Sequence, residues 1–382
     1  MKVLCDRGAL LDAINLVSGV VASRTPRPQL TCVKLTAQKD GQAGRLTLEA
    51  TDAEISMTLR SERVDVEEPG AALVPADKLQ QIVRAEENEP TLTIESEDDL
   101  THIRGADAHF QLRGFPASEF PEVPGFDTLA KGMSTFTIRA GSLVELVRRT
   151  LFAAARENSR YAINGVLVKR DGKKLEFVAT DGRRLALCRD SLAEDGAAVT
   201  CIVPSKALVT LSKLVDDPDE AVAVGVTDNR IVFGFSPEDG GGRALLASNL
   251  VEGSFPPYED VIPKGHDIKV GFDRDVLASA VRRAALLTNE ESRGVRLMFS
   301  SGDKKLELSS RVPEMGEARI DVDLMSMDGG DLEIGFNPGF ITDALRVIDD
   351  PQVLLELKAP NKPGLLRSGN DFVYVVMPVN LQ

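Results

Sequence analysis

The chain carries little of what enzymatic chemistry requires. It has three histidines in 382 residues, His102, His109 and His266. None sits beside a credible nucleophile or at metal-ligand spacing, so they read as surface or strand histidines and no metal site is expected. No G-x-x-x-x-G-K-[ST], G-x-G-x-x-G or H-E-x-x-H stretch occurs, which sets aside phosphate-loop, dinucleotide and zinc-protease chemistry. The Gly240-Gly241-Gly242 run follows Pro237 and Asp239 and reads as a hairpin tip. Four cysteines, Cys5, Cys32, Cys188 and Cys201, lie far apart with no Cys-x-x-Cys pair. A disulfide framework or zinc centre is not expected, and the four read as small buried hydrophobes. Nothing calls for a cofactor.

Long apolar runs are also missing. None approaches the roughly 20 residues of a membrane-spanning helix. The opening MKVLCDRGALLDAINLV places Asp6, Arg7 and Asp12 where a secretory signal needs an unbroken apolar stretch. A soluble, cytoplasmic protein without a membrane partner is expected. With 43% hydrophobic residues and no low-complexity tract the chain is globular, and its length predicts two or three domains. The net charge of −14 argues, by itself, against a nucleic-acid partner.

What is present is a threefold repeat. CDRGALLDAINLVS from Cys5, IRAGSLVELVRRTLFA from Ile138 and VGFDRDVLASAVRRAALLT from Val270 each read as a short strand and an amphipathic helix. GRLTLEATDAEISMTL from Gly44, KKLEFVATDGRRLALC from Lys173 and KKLELSSRVPEMGEARIDV from Lys304 read as hairpins. A third set, LVPADKLQQIV, IVPSKALVTLSKL and IGFNPGFITDAL, is strand then helix. A spacing of about 130 residues makes each unit a domain rather than a solenoid turn. Boundaries are expected at 1–131, 132–258 and 259–382, with the Pro-rich EFPEVPGF and SFPPYEDVIP as linkers. Thr51-Asp52 and Thr180-Asp181 occupy the same place in two copies, which predicts a structural turn rather than a unique active site. In the middle hairpins Val166, Val168, Leu175, Phe177 and Ala179 are spaced for a half-buried sheet.

Two helices and many strands per unit predict an α+β fold, with the helices gathered on one face and antiparallel sheets outside. Two chains of three units close into a six-unit ring with twofold symmetry and no dangling end. The predicted helix cores are 7–19, 76–84, 141–151, 205–215, 274–287 and 338–348. They carry eleven Lys/Arg and five Asp/Glu inside a chain of net −14, so positive charge concentrates on them. On the helix from Arg274, Ser279, Arg282 and Arg283 are expected on one face, with Val276, Leu277, Ala280, Val281 and Ala284 on the other. A basic helix layer inside an acidic body suits sequence-independent phosphate contacts.

The stretches RYAINGVLV, VATDGRRLALC, GSFPPYEDVIP, AALLTNEESRGVRL and YVVMP resemble the bacterial β sliding clamps, the processivity subunits of replicative DNA polymerase. The resemblance runs the whole chain in order. It implies three clamp domains, each with two inner helices and outer sheets, and a head-to-tail homodimer ring around duplex DNA. It implies no catalysis. An ATP-dependent clamp loader opens the ring, and polymerases and repair proteins dock on it through short peptides. The implied peptide pocket comprises Ile163, Thr180, Gly182, Arg183, Arg184 and Leu185 from the middle domain. Pro256, Val261, Val375, Val376, Met377 and Pro378 complete it. DNA-facing residues are Arg24, Tyr161 and Lys206 by resemblance, and Arg148, Arg149, Arg282 and Arg283 by composition. At the dimer seam Phe110 is expected to meet Leu286 and Leu287 of the partner subunit. Ala162, Arg183 and Asp260 depart from the family pattern, which often has an aromatic, a His and a basic residue there. Two other readings stand beside it: an enzyme on the same repeats, which the missing catalytic set disfavours, and a repeat-built adaptor that binds protein tails without encircling DNA.

Overall fold

Each third of the chain lays down the same order of elements. In the computed structural model, which describes residues 1–22, 24–40, 43–125, 132–156, 162–236, 242–288 and 294–380, the first third runs β1 (Lys2–Asp6), α1 (Arg7–Val17), β2 (Cys32–Asp40), β3 (Ala43–Thr51), β4 (Ile55–Ser61), β5 (Val64–Glu68), β6 (Gly70–Pro75), α2 (Ala76–Ala85), β7 (Thr91–Glu97), β8 (Leu100–Arg104) and β9 (His109–Arg113). The second runs β10 (Ser134–Arg139), α3 (Ala140–Thr150), β11 (Gly165–Asp171), β12 (Lys174–Thr180), β13 (Arg184–Ser191), β14 (Val199–Pro204), α4 (Ser205–Lys213), β15 (Ala221–Val226), β16 (Arg230–Phe235) and β17 (Ala244–Asn249). The third runs β18 (Ile268–Asp273), α5 (Arg274–Ala284), β19 (Val295–Ser300), β20 (Lys305–Val312), β21 (Gly316–Asp323), β22 (Ser326–Asp328), β23 (Leu332–Phe336), α6 (Pro338–Val347), β24 (Gln352–Leu357), β25 (Gly364–Ser368) and β26 (Phe372–Val376). Helices α1, α5 and α6 start where an Asx residue caps them, whereas Pro75 before α2 makes no side-chain cap bond. Asp6 Oδ1 accepts from the Ala9 N–H at 2.8 Å, and Asp273 Oδ1 from Asp275 and Val276 at 3.0 Å each. The predicted helix from 274 overruns because Ala285–Leu287 tightens into a 3-10 turn.

The sheets do not respect the repeats. Within Met1–Val144 and Lys206–Leu250, one compact unit, the orders are β5-β1-β7-β8-β9 and β10-β15-β16-β17-β4-β3-β2-β6. Strands of the middle third thus continue a sheet begun in the first, through the antiparallel β4·β17 pair, Leu59 against Ala244 and Ile55 against Ser248. Within Glu145–Ser205 and Val251–Gln382, the second unit, the orders are β14-β11-β12-β13-β26-β25-β24-β18-β22 and β21-β20-β19-β23. There β13 pairs β26, Arg184 against Val376 and Cys188 against Phe372. The middle third is therefore divided between two compact units, because a hydrogen-bonded ladder binds each half to a neighbour.

The sheet of β11–β13 is not half-buried, as the alternation of Val166, Val168, Leu175, Phe177 and Ala179 predicts; both faces are covered. Leu167, Val178, Leu185 and Leu187 on the other face form a buried cluster with Tyr258, Val373 and Val375, and Val251, Phe255 and Ile262 pack against it. The Pro-rich segment expected to be a linker is a lid over this sheet. Phe120 does the same in the first third, buried with Cys32 and Leu73. Proline suits this use, since a cover strip must lie flat without presenting N–H groups to a ladder. All four cysteines are buried and free; burial pushes the Cys5 and Cys201 thiols up to about 12 and Cys32 and Cys188 to about 11. On α5, Leu277, Ala280, Val281 and Ala284 are buried as expected, but Val276 is 48% exposed; it sits at the rim of the apolar stripe. No helix among the described residues is long and apolar enough to cross a membrane.

Candidate functional site

The Thr180-Asp181-Gly182-Arg183-Arg184 stretch closes the β12–β13 hairpin by a side-chain-built turn. Thr180 Oγ1 donates to the Arg184 carbonyl at 2.6 Å and accepts from the Gly182 N–H at 3.1 Å. Asp181 Oδ1 accepts from the Arg183 and Arg184 N–H groups at 2.9 and 3.0 Å. Gly182 has φ +84°, the left-handed region glycine tolerates. The first copy repeats every bond: Thr51 to Ile55 O and from Ala53 N, Asp52 Oδ1 from Glu54 and Ile55 N. Both copies are turns, as expected. At the left-handed third position the first copy has Ala53, which holds φ +78°. An alanine there costs about 1 kcal/mol. Ala53→Gly is expected to raise stability by about that amount in urea denaturation; a loss would show that the Ala53 methyl packs favourably.

Arg184 leaves this turn as a buried tie. Its side chain is 11% exposed. Nε donates to Asp181 Oδ2 at 3.1 Å, Nη1 to Asp343 Oδ2 on α6 at 2.7 Å and Nη2 to the Phe152 carbonyl at 2.9 Å. The guanidinium also lies 4.6 Å from the Phe340 ring centroid and 5.5 Å from that of Phe152. Asp343, Phe340 and Phe152 were not among the sequence candidates. Nothing in the local sequence marks residues 32 and 159 positions away as partners.

Around this tie the β13·β26 pairing assembles most of the expected pocket. Leu185 opposes Val375, Arg184 opposes Val376, and the Met377 N–H donates to the Arg183 carbonyl at 2.9 Å. Thr180, Leu185, Val375, Val376 and Ile163 are buried and form floor rather than rim. The exposed apolar groups are Met377, at 38%, and Val261, at 43%, on the short turn that follows the lid residue Tyr258. Pro256 and Pro378 are half-buried and Arg183 is exposed. Tyr258 fixes the lid: its hydroxyl donates to Glu176 Oε2 at 3.3 Å, while Lys174 and Arg189 each approach Glu176 to 2.8 Å. Burial and then Glu176 push the Tyr258 hydroxyl well above its ordinary range, so it stays a donor. Ala162 joins the buried cluster, and a side chain added at Gly253 would meet its methyl.

The basic residues divide into two kinds. Arg148 donates from Nε and Nη2 to Glu145 at 2.7 Å each and also pairs with Asp349. Arg149, 13% exposed, sits among Glu145, Asp349 and Asp371, the last at 2.9 Å, beside the Phe372 ring. These two are engaged with carboxylates that lie partly outside the helices, which the helix-by-helix count of charge could not register. Lys206 is 51% exposed and pairs with Asp52, whose other oxygen builds the first turn. Arg24, Arg282 and Arg283 are exposed and, among the described residues, have no ion-pair partner. Tyr161 lies outside the described residues, as do Gly240, Gly241 and 289–293. Phe110 is half-buried on the edge strand β9, Leu286 is 75% exposed, and Leu287 Cδ1 lies over Gly316 at the start of β21. His102 Nδ1 and His109 Nε2 lie 3.0 Å apart on the β8–β9 hairpin, and His266 meets Glu356 at 3.2 Å.

Models of the DNA polymerase III beta subunit match the chain in three consecutive pieces: the N-terminal domain over 1–124, the central domain over 137–257 and the C-terminal domain over 259–380. The chain is 36% identical to the beta sliding clamp of Pseudomonas putida and 31% to that of Escherichia coli, each over 100% of both chains. Among solved structures it is similar to a Pseudomonas aeruginosa sliding clamp bound to griselimycin (TM-score 0.90, 35% identity) and to the Bacillus subtilis sliding clamp (TM-score 0.91, 28% identity), again over all of both chains.

Proposed function

Since this chain belongs to the DNA polymerase III beta subunit family, the bacterial β sliding clamps, we propose that it closes with a second copy into a six-domain ring around duplex DNA. It is a non-catalytic accessory subunit, a processivity factor of DNA polymerase. The domains of the proposed ring are 1–131, 132–258 and 259–382, three units of one recurring element order. The protein acts in the cytoplasm, is placed on DNA by an ATP-dependent loader and serves repair proteins and other polymerases besides the replicative one. Ring closure would hold it on DNA even where each phosphate contact is weak, and weak contacts let it slide.

The observation that carries the ring is the incomplete third joint. The β4·β17 and β13·β26 pairs join the fourth strand of one unit to the last strand of the next. By that rule β21 needs a β9, and in one chain both are sheet edges. Aligning KKLEF with KKLEL makes Cys188 and Ile320 equivalent, while the strands after each second helix make Ala108, Ala244 and Phe372 equivalent. Since Cys188 opposes Phe372, Ile320 should oppose Ala108 of the partner subunit, Ala318 Phe110 of the partner subunit and Gly316 Leu112 of the partner subunit. The faces agree: Ala318, Ile320, Phe110 and Leu112 are half-buried, whereas Glu317, Arg319, His109 and Gln111 are exposed.

Partner tails are read as docking over Met377 and Val261, against the floor of Leu185 and Val375. Each well-buried apolar anchor contributes about 1.5–3 kcal/mol, giving roughly micromolar peptide affinity. Met377→Lys is expected to abolish tail-peptide binding with the dimer intact; unchanged affinity in a fluorescence titration removes this pocket assignment. The function as a whole is tested on DNA circles at high salt. After loading with an active loader and ATP, the protein should stay on circles and leave once the DNA is cut. Equal salt release from circles and linear DNA would instead support an adaptor without topological linkage.

A further inference from the structure

Two of the chain's three histidines meet on the outer face of the β5-β1-β7-β8-β9 sheet. The ladder sets His102 on β8 opposite Gln111, and His109 on β9 opposite Arg104. The two are therefore diagonal neighbours on one face, a span that long or ring side chains cross. His102 Nδ1 and His109 Nε2 stand 3.0 Å apart, with ring centroids 5.2 Å apart and planes 27° from parallel. Thr101 and Ile103, which alternate with His102, are buried on the opposite face, so the pair points outward. His109 is exposed and His102 half-buried. The neighbouring Arg104 is already paired with Glu95 of β7 at 2.8 Å. A separation of seven residues matches no short ligand motif; the turn closed by the Gly105 N–H on the Ala108 carbonyl at 3.0 Å brings the two rings together.

One N–H···N bond between the rings satisfies the distance but gains little, since water offers each nitrogen an equivalent partner. Among the described residues neither ring has another hydrogen-bond partner. Each neutral imidazole has one nitrogen free to ligate, and here Nδ1 of His102 and Nε2 of His109 are the two that approach. Metal–nitrogen bonds of about 2.0–2.1 Å put adjacent ligand nitrogens about 2.9–3.4 Å apart in tetrahedral or square-planar shells. The observed spacing falls within that span. A turn of each ring about its Cβ–Cγ bond brings both lone pairs onto one ion. We propose that His102 and His109 form a surface site for a divalent transition-metal ion, with water in its remaining positions, that staples the edge strand β9 to β8. Imidazole ligands favour zinc, nickel and copper, whereas magnesium and calcium take oxygen. The site does not rest on the ring reading, although β9 is the strand to which the proposed joint is assigned.

Zinc chloride is the probe, with magnesium chloride as its control. Isothermal titration of the full chain should show a single zinc site per chain and no magnesium site. His102→Gln and His109→Gln should each abolish it, because one imidazole left alone is a poor ligand set. Both substitutions fall on the outer face of the sheet and keep a polar side chain, and urea midpoints without metal confirm that the variants fold. The imidazole resonances of a histidine-labelled sample give a second readout. Those of His102 and His109 should move together on adding zinc, while His266, 9% exposed and set against Glu356, should stay in place. Zinc binding should also raise the urea midpoint of the wild type, since a ligand held only by the folded state stabilises it, and a chelator should reverse the rise. Zinc binding that survives either substitution overturns the site. So do His102 and His109 resonances that do not respond to zinc, which would leave the pair as a hydrogen bond alone.

Discussion

Phe110→Asp is expected to yield a folded monomer. The substitution falls on β9, which already lacks a strand neighbour on one side in the single chain, so the fold loses little. At the proposed seam the ring of Phe110 faces Ala318 of the partner subunit, with Leu287 of the partner subunit over the adjoining Gly316. Removing one buried Phe costs about 1.5–3 kcal/mol, and twofold symmetry imposes the loss twice. Dimerisation should therefore weaken by about 3–6 kcal/mol, two to four decades in dissociation constant, before the cost of placing two carboxylates in an apolar joint is counted. Sedimentation equilibrium measures this directly. A dimer that persists unchanged over the wild-type concentration range removes the seam and its register.

Adjacent arginines should behave in opposite ways. Arg184→Ala strips three hydrogen bonds and two ring contacts from a site 11% exposed, and strands Asp343 and the Phe152 carbonyl. Breaking a buried pair from one side costs about 3–5 kcal/mol. Arg183→Ala removes an exposed side chain with no ion-pair partner among the described residues, and should stay within about 0.5 kcal/mol. Urea denaturation at constant slope separates the two. Peptide affinity should fall with Arg184→Ala, because Arg184 pairs with Val376 beside Met377. A loss under about 1 kcal/mol for Arg184→Ala would mean the tie is ordinary surface pairing.

Much of the local structure was legible because it is locally encoded. Thr-x-x-x-Arg and Thr-x-x-x-Ile turns are built from side chains bonding backbone two to four residues away, and the helices follow a period the sequence states. The joints between thirds were not legible, since nothing in β17 names β4 as its neighbour; only register and burial choose among edges. The half-buried reading of β11–β13 failed for a related reason. It took the Pro-rich stretch around Tyr258 for a connection, and only the fold shows that it covers the sheet. In the candidate site, floor and rim did not separate in the sequence: Ile163, Val375 and Val376 are buried, whereas Met377 and Val261 are exposed. Arg148 and Arg149 stood out as basic on their helix, yet Asp349 and Asp371, remote in sequence, hold them.

The two strand joints inside the chain also set where a ring of this kind yields. If β4 and β17 part, or β13 and β26, the severed edges stay connected by the chain and meet again at an effective concentration of about millimolar or more. Rejoining then competes with any force that holds them open. The proposed β21·β9 joint between copies would have the same kind of ladder but no tether at that point. Its strands, once parted, are held near each other only through the rest of the ring. An opening machine working against three kinds of nearly equivalent joint would thus find one at which a gap persists after it is made. The repeated architecture supplies similar bonding at every joint, and connectivity alone distinguishes the gate from the hinges.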